Sequence, residues 1–394
     1  MTAIDPQHGL RVRNVPFSPP NVSEEEIREV VDTLRTDWIT TGPKTKAFET
    51  EFSAAVGAPA GIAMNSCTAA LHVALATLGI GRGDKVLTTT MTFAASVNVI
   101  EHVGATPVLC DVEPDTLNIS PAEIEKKLTP EVKAIIPVHY SGHPVDLDPI
   151  LAMAKQRGIA VVEDAAHSLP ASYKGKSIGS HGNMVAWSFY ATKNITTCEG
   201  GMLTGDPQLL ERARVLHLHG MSKDAARRYE KGGSWKYEIL APGFKYNMTD
   251  VAAAIGRVQL RRMWDFQKRR DQIVAHYNRE FAGIPELELP VVRKDCTTAH
   301  HLYVLRLRLD RLSIDRDEFV RQLADLGLTC SVHFIPIHTH PFYRDKYGYR
   351  PYDFPVAYEN FLRMFSLPLY SRMEDADVEH VVASVKHLVA KYRK

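Results

Sequence analysis

The sequence predicts an α/β protein: a mostly parallel mixed sheet sandwiched by helices, with a smaller α+β domain toward the C-terminal end. Three observations carry that expectation. Short apolar runs alternate with amphipathic stretches through the first half of the chain. Several of the runs are continuously apolar, as strands buried on both faces of a parallel sheet are. Strand and helix signals then start afresh near position 285, after a long helical stretch.

Ser23 to Glu26 has the form of a capping box and starts a helix that runs to about Leu34. Residues 61–64 read as a short strand. In 68–78, Leu71, Ala74, Leu75 and Leu78 recur at helical spacing, and the glycines of 79–84 end the run. Strands are expected at 86–90, 107–112, 134–139, 160–163 and 185–189, alternating with helical patterns at 94–102, 121–127 and 148–157. Residues 221–238 are charged and glycine-bearing and read as a surface loop. One helix is expected over 249–281. A strand at 302–309 and a helix at 315–326 suggest the small domain. The expected division is a large domain over 1–260 and a small one over 261–394.

The chain has 394 residues, of which 45% are hydrophobic and 24% charged, enough for a large core and two domains. A net charge of +1 gives no field that would draw nucleic acid or a membrane surface. An anionic ligand must therefore be held by a local site. No run approaches the ~18 apolar residues of a membrane span, and the first residues lack a secretory pattern. The five cysteines are scattered, with no Cys/His cluster that suggests a metal. The expectation is a soluble, reduced, cytoplasmic protein.

In parallel sheets ligands bind beyond the carboxyl ends of the strands, so the residues just after each strand matter most. Asn65 to Ala70 joins a strand to a helix, where free backbone amides attract phosphate and Thr68 adds a hydroxyl. An ordinary N-cap has the same appearance. Asp164 ends a strand, where it suits a cationic ring nitrogen, a metal or a helix cap. Lys193 lies in Ser188-Phe-Tyr-Ala-Thr-Lys193, ahead of Glu199-Gly-Gly201. Most lysines are solvated, but a desolvated one attacks carbonyls. The order of anion cradle, strand-end carboxylate and lysine supplies the three fixtures pyridoxal phosphate (PLP) requires.

At these motifs the chain resembles the DegT/DnrJ/EryC1/StrS sugar aminotransferases of PLP fold type I. The resemblance rests on "DWITTGPKTKAFE" (37–49), "NSCTAALHVAL" (65–75), "TFAASVNVI" (92–100), "PVHYSGHPVDLDPI" (137–150), "EDAAHSLPASYKGKSIGSHG" (163–182), "SFYATKNITTCEGGM" (188–202) and "APGFKYNMTDVAAAIG" (241–256). It runs from about residue 15 to the C-terminus. It implies that Lys193 is the imine-forming lysine and proton shuttle, and that Asp164 pairs with the pyridine nitrogen. Phe93 takes the ring-stacking place, and His167 stands beside the phenolic oxygen. Cys67, Thr68 and Ser188 match the phosphate cradle. Asn247 matches a residue that reaches the phosphate of the other subunit, which implies a homodimer with shared sites.

The resemblance further implies L-glutamate as amino donor and a keto-sugar carried on dTDP or UDP as acceptor. Thr41 and Gly42, in the 40–43 turn, are expected over the sugar. His333 and His338 are candidates for substrate contact, and both suit a structural role as well. The 241–256 segment resembles the branch that acts at C-4, which includes the enzyme making UDP-4-amino-4-deoxy-arabinose, more than the C-3 branch. In a related dehydratase branch histidine replaces the lysine, and Lys193 argues against it. A cofactor-binding regulator without turnover is the other alternative.

Overall fold

The computed structural model describes residues 13–222 and 236–394. Helix α1 (Glu24–Leu34) begins at the expected capping box, where Glu26 Oε2 accepts from the Ser23 amide at 2.8 Å. Helix α2 (Pro43–Val56) follows, then strand β1 (Gly61–Met64) and helix α3 (Cys67–Thr77). Strand β2 (Lys85–Thr89), helix α4 (Ala95–His102), strand β3 (Thr106–Cys110), helix α5 (Pro121–Lys127) and strand β4 (Val132–Ile136) continue the alternation. Helix α6 (Leu147–Arg157) leads to β5 (Ala160–Asp164). A short hairpin, β6 (Ser172–Tyr173) and β7 (Lys176–Ser177), precedes β8 (Met184–Ser188), β9 (Gly201–Thr204) and helix α7 (Pro207–Leu216).

Seven strands form the main sheet in the order β1-β9-β8-β5-β4-β2-β3. Only β9 runs against its neighbours. The strands β2, β3, β4, β5 and β8 pair in parallel, so their carboxyl ends open on one edge. Their side chains are buried on both faces, which is why the sequence reads as continuous apolar runs. Phe48, Phe52, Trp187 and Phe189 fill one face, and α3 lies against the other with Leu71, Val73 and Leu75.

The helix expected over 249–281 is two helices, α8 (Asp250–Arg261) and α9 (Met263–Phe281). Arg262, at φ −91° and ψ −1°, joins the two helices, and its amide is shared between the carbonyls of Val258 and Gln259. Its guanidinium is drawn to Glu26 of α1, so tertiary contacts override a continuous helical pattern. Helix α9 then joins two cores: Phe266 packs in the large one, and Ile273, Tyr277 and Phe281 in a second.

That second core lies under a sheet of β10 (Leu287–Glu288), β12 (Tyr303–Leu307) and β13 (Met364–Leu367), while β11 (Cys296–Thr297) pairs with β6. Helices α10 (Arg316–Asp325) and α13 (Asp375–Tyr392) complete it, while α11 (Pro341–Tyr347) and α12 (Pro355–Arg363) pack in a further cluster with Tyr140, Leu302 and Met364. The strand expected at 302–309 is the shorter β12, because Leu309 opens a turn of 3-10 helix. Of the charged segment expected as a loop, residues 223–235 lie outside the described residues.

Candidate active site

A cavity of about 520 Å³ opens where the carboxyl ends of the parallel strands meet Phe17, His301, His333 and Phe334. Cys67 and Thr68 reach it from the first turn of α3, whose leading amides have no carbonyl within the helix to bond. Ser66 caps that helix by accepting from the Ala69 amide at 3.1 Å. Strand β9 passes close behind: a methyl group on Gly201 would stand 2.4 Å from the Ser66 carbonyl carbon. On Gly200 it would stand 2.1 Å from Thr197 Oγ1. The two glycines after Glu199 are therefore a packing requirement.

Asp164 enters at the end of β5 and is buried. Its Oδ1 accepts from the Ala166 amide at 3.0 Å, and its Oδ2 from Ser96 Oγ at 2.7 Å. The Cys67 thiol lies 4.0 Å from Oδ1. Burial, and then the Asp164 charge, push the Cys67 thiol well above its ordinary range. Cys67 is therefore a neutral neighbour at neutral pH.

Lys193 and Ser188 line the same cavity. The Lys193 amide donates to the Tyr190 carbonyl at 2.9 Å, which fixes the turn that carries the side chain inward. Burial lowers the Lys193 ammonium to about 8, an effect opposed by the Asp164 carboxylate. A usable fraction is then the free amine near neutral pH.

Three imidazoles stand beside it. His167 is stacked on Phe334 at 5.7 Å, and its Nδ1 is buried with no hydrogen-bond partner among the described residues. His301 lies 4.4 Å from the His167 ring, and its Nδ1 meets Asn194 Oδ1 at 3.0 Å. Asn194 donates to the Ala299 carbonyl, so its oxygen faces His301 and Nδ1 carries the proton. His333 is stacked on Phe17 and meets Ser366 Oγ at 2.9 Å. Burial lowers His167 and His301 well below their ordinary range and His333 to about 4, with Lys193 adding to each shift. All three are neutral at pH 7.

Phe93 follows β2 and faces the cavity with most of its ring exposed, tilted against Phe334 at 6.2 Å. The structure thus gathers Lys193, Asp164, His167, Cys67, Thr68, Phe93, Ser188 and His333 around one space.

Four candidates stand elsewhere. His338 is fully buried and does not line the cavity. Its Nε2 donates to the Pro351 carbonyl at 2.9 Å, which leaves Nδ1 to accept from Thr90 Oγ1 at 2.7 Å. Both nitrogens are committed to partners within the chain. Asn247, Thr41 and Gly42 also lie outside the lining of their own chain's cavity. Asn247 Nδ2 donates to Thr41 Oγ1 at 2.6 Å, and the Gly42 amide donates to Asp250 Oδ1 at 2.7 Å.

Sequence reasoning did not single out Ser96, Thr92, His301, Tyr190, Glu199, Phe334 or Phe17 as lining or supporting residues. Ser96 carried a usable signal, since it sits one helical turn beyond Phe93 at a strand end. Thr92, Tyr190 and Glu199 lie within segments already marked by Phe93 and Lys193, while His301, Phe334 and Phe17 come from distant segments that only the tertiary fold unites.

The family model for the DegT/DnrJ/EryC1/StrS aminotransferase family matches residues 20–386. The chain is 48% identical over 377 residues to the spore coat polysaccharide biosynthesis protein SpsC of Bacillus subtilis, covering 95% of this chain and 97% of that protein. Among solved structures, Spr1654 of Streptococcus pneumoniae in its PLP form superposes with a TM-score of 0.90 at 36% identity, over 96% of this chain and 99% of that one. Its PMP form superposes equally well. The sugar aminotransferase CalS13 of Micromonospora echinospora gives a TM-score of 0.86 at 28% identity, over 94% and 99% of the two chains. The chain belongs to the DegT/DnrJ/EryC1/StrS aminotransferase family.

Proposed function

We propose that the chain is a PLP-dependent aminotransferase that moves the amino group of L-glutamate to the 4-keto carbon of a dTDP- or UDP-linked sugar. The observation that carries this reading is the meeting of Lys193 and Asp164 in one cavity with the N-terminal turn of α3.

The residues present fit the cofactor. Buried Asp164 suits the pyridine nitrogen, and the amides of Cys67 and Thr68 with the Ser188 hydroxyl suit the phosphate. The orphan Nδ1 of His167 suits the ring oxygen, and Phe93 one ring face. When bound, PLP supplies an electron sink for the charge that develops on the substrate carbon. Asp164 would keep the ring nitrogen protonated, and Lys193 Nζ would move a proton from one carbon to the other. His333 is placed to meet the substrate, and the neutral imidazoles around it exclude water without adding charge.

Two relatives support a sugar acceptor: SpsC, of spore coat polysaccharide biosynthesis, and the sugar aminotransferase CalS13. The 241–256 segment supports C-4. The same-family alternative is amination at C-3.

A homodimer completes the reading. On α1 and the residues just before and after it, Val22, Ile27, Leu34, Trp38 and Ile39 are exposed, an apolar surface that a second copy would cover. In that dimer Asn247 reaches the partner's phosphate, and Thr41 and Gly42 cover the partner's sugar. Among the described residues no helix is long and apolar enough to cross a membrane, and we place the reaction in the cytoplasm.

The test is a panel of dTDP-, UDP- and GDP-4-keto-6-deoxy sugars, UDP-4-keto-arabinose and 3-keto-sugar analogues, with glutamate as donor and product mass as readout. Amination of a 4-keto sugar is expected. Product only from 3-keto analogues transfers the assignment to C-3. No change in the cofactor absorbance with any amino donor would overturn the aminotransferase reading.

A further inference from the structure

Asp164 is the inner end of a buried chain of hydroxyls. Ser96 Oγ lies 2.7 Å from Asp164 Oδ2, and Thr92 Oγ1 lies 2.8 Å from Ser96 Oγ. Thr92, Ser96 and Asp164 are 2%, 0% and 5% exposed, so water does not compete for these bonds. A carboxylate only accepts, which commits the Ser96 proton to Asp164. Thr92 must then be the donor to Ser96. The chain has one direction, from Thr92 through Ser96 to the carboxylate.

The placement has a structural cause. Thr92 follows β2 and Ser96 is in the first turn of α4, so both hydroxyls stand at the sheet edge beside the end of β5. Cys67 and Ala166 approach the other oxygen. Each oxygen of Asp164 is thus held by at least one donor on the protein side, while the residue still lines the cavity.

We propose that Ser96, oriented by Thr92, is a positioning residue that keeps the Asp164 carboxylate aimed at the ring nitrogen of the bound cofactor. The proposal rests on the PLP reading above. A directed pair of hydrogen bonds fixes a carboxylate oxygen more firmly than an isolated one. The groups that face Asp164 from neighbouring elements are Cys67, neutral, and Lys193. Neither can fix the orientation of Oδ2, and Ser96 alone bonds it among the described residues.

The experiment compares wild type, Ser96→Ala, Ser96→Thr and Thr92→Val by PLP binding to the stripped protein and by pH titration of the bound-cofactor absorbance. Ser96→Ala is expected to weaken PLP binding roughly 10- to 100-fold, the worth of one hydrogen bond to a charged group. It is also expected to move the absorbance midpoint upward, because a less fully protonated ring withdraws fewer electrons. Ser96→Thr should restore both, and Thr92→Val should give a smaller shift in the same direction. Thermal melting of the stripped proteins separates a folding defect, which would leave the absorbance midpoint in place. Wild-type binding and midpoint retained in Ser96→Ala would overturn the positioning role alone. Failure of wild type itself to bind PLP would overturn the cofactor reading as well.

Discussion

Gly201 of β9 passes so close to Ser66 that a methyl group on it would lie 2.4 Å from the Ser66 carbonyl carbon and 2.5 Å from the Cys67 nitrogen. Both neighbours are backbone atoms and cannot rotate away. Gly201→Ala must therefore push β9 away from the start of α3, the turn proposed to hold the phosphate. Overpacking of this kind costs about 1–3 kcal/mol. We expect a lower melting temperature together with PLP binding weakened by at least tenfold. A variant that melts lower yet binds PLP normally would show that the turn tolerates the shift.

Lys193 sets a pH dependence whose sign follows from burial. The ammonium is lowered from 10.5 to about 8 in the folded, cofactor-free chain. Between about 8 and 10.5 the unfolded chain holds a proton that the folded chain has released, so this group makes stability rise with pH across that window. Below about 8 both states hold the proton, and the folded state bears the full cost of a buried charge. Lys193→Met should therefore be more stable than stripped wild type at pH 7, with the difference shrinking toward pH 10.5. Denaturant melts at three pH values measure it. The rate of PLP capture by wild type should rise through pH 8 as free amine accumulates, and Lys193→Met should capture none covalently.

Much of this was legible in the chain, for reasons that differ by residue. Asp164 and Lys193 follow strands whose apolar runs are continuous, so a parallel sheet with a carboxyl-end site places them without further information. Helix α1 was marked by a local signal, the Ser23–Glu26 capping box. The break at Arg262 was not legible, because it depends on Glu26, far away in sequence. His301 belongs to the same class: its partner Asn194 lies 107 positions away, and no periodicity reports such a pairing.

His338 and His333 separate by the same logic, and mutation should separate them too. His338 bridges Thr90 and Pro351 with both nitrogens in a buried site, so His338→Ala strands two polar groups at about 1–3 kcal/mol each. We expect a lower melting temperature with the KM for the sugar substrate unchanged. His333 lines the cavity and keeps its ring on Phe17. His333→Ala should raise that KM or lower kcat several-fold while changing stability less. An unchanged KM and kcat in the second variant would remove His333 from the proposed substrate contacts.

Asn247 offers the sharpest test of the proposed shared site. Within its own chain it donates to Thr41 and stays outside the cavity lining. In a homodimer that shares its sites, Asn247 of one subunit serves Lys193 of the other. Lys193→Ala and Asn247→Ala homodimers would then each have two damaged sites. Mixing the two variants under denaturation and refolding yields hybrids. One site of each hybrid would carry both lesions, and the other would carry neither. Activity should reappear on mixing, at up to about one quarter of wild type, since half the dimers are hybrids with one intact site each. If Asn247 instead serves its own chain, every hybrid site keeps one lesion and mixing restores nothing. Sedimentation at the assay concentration confirms that the refolded species are dimers, so an absence of recovery would count against the shared site and not against refolding.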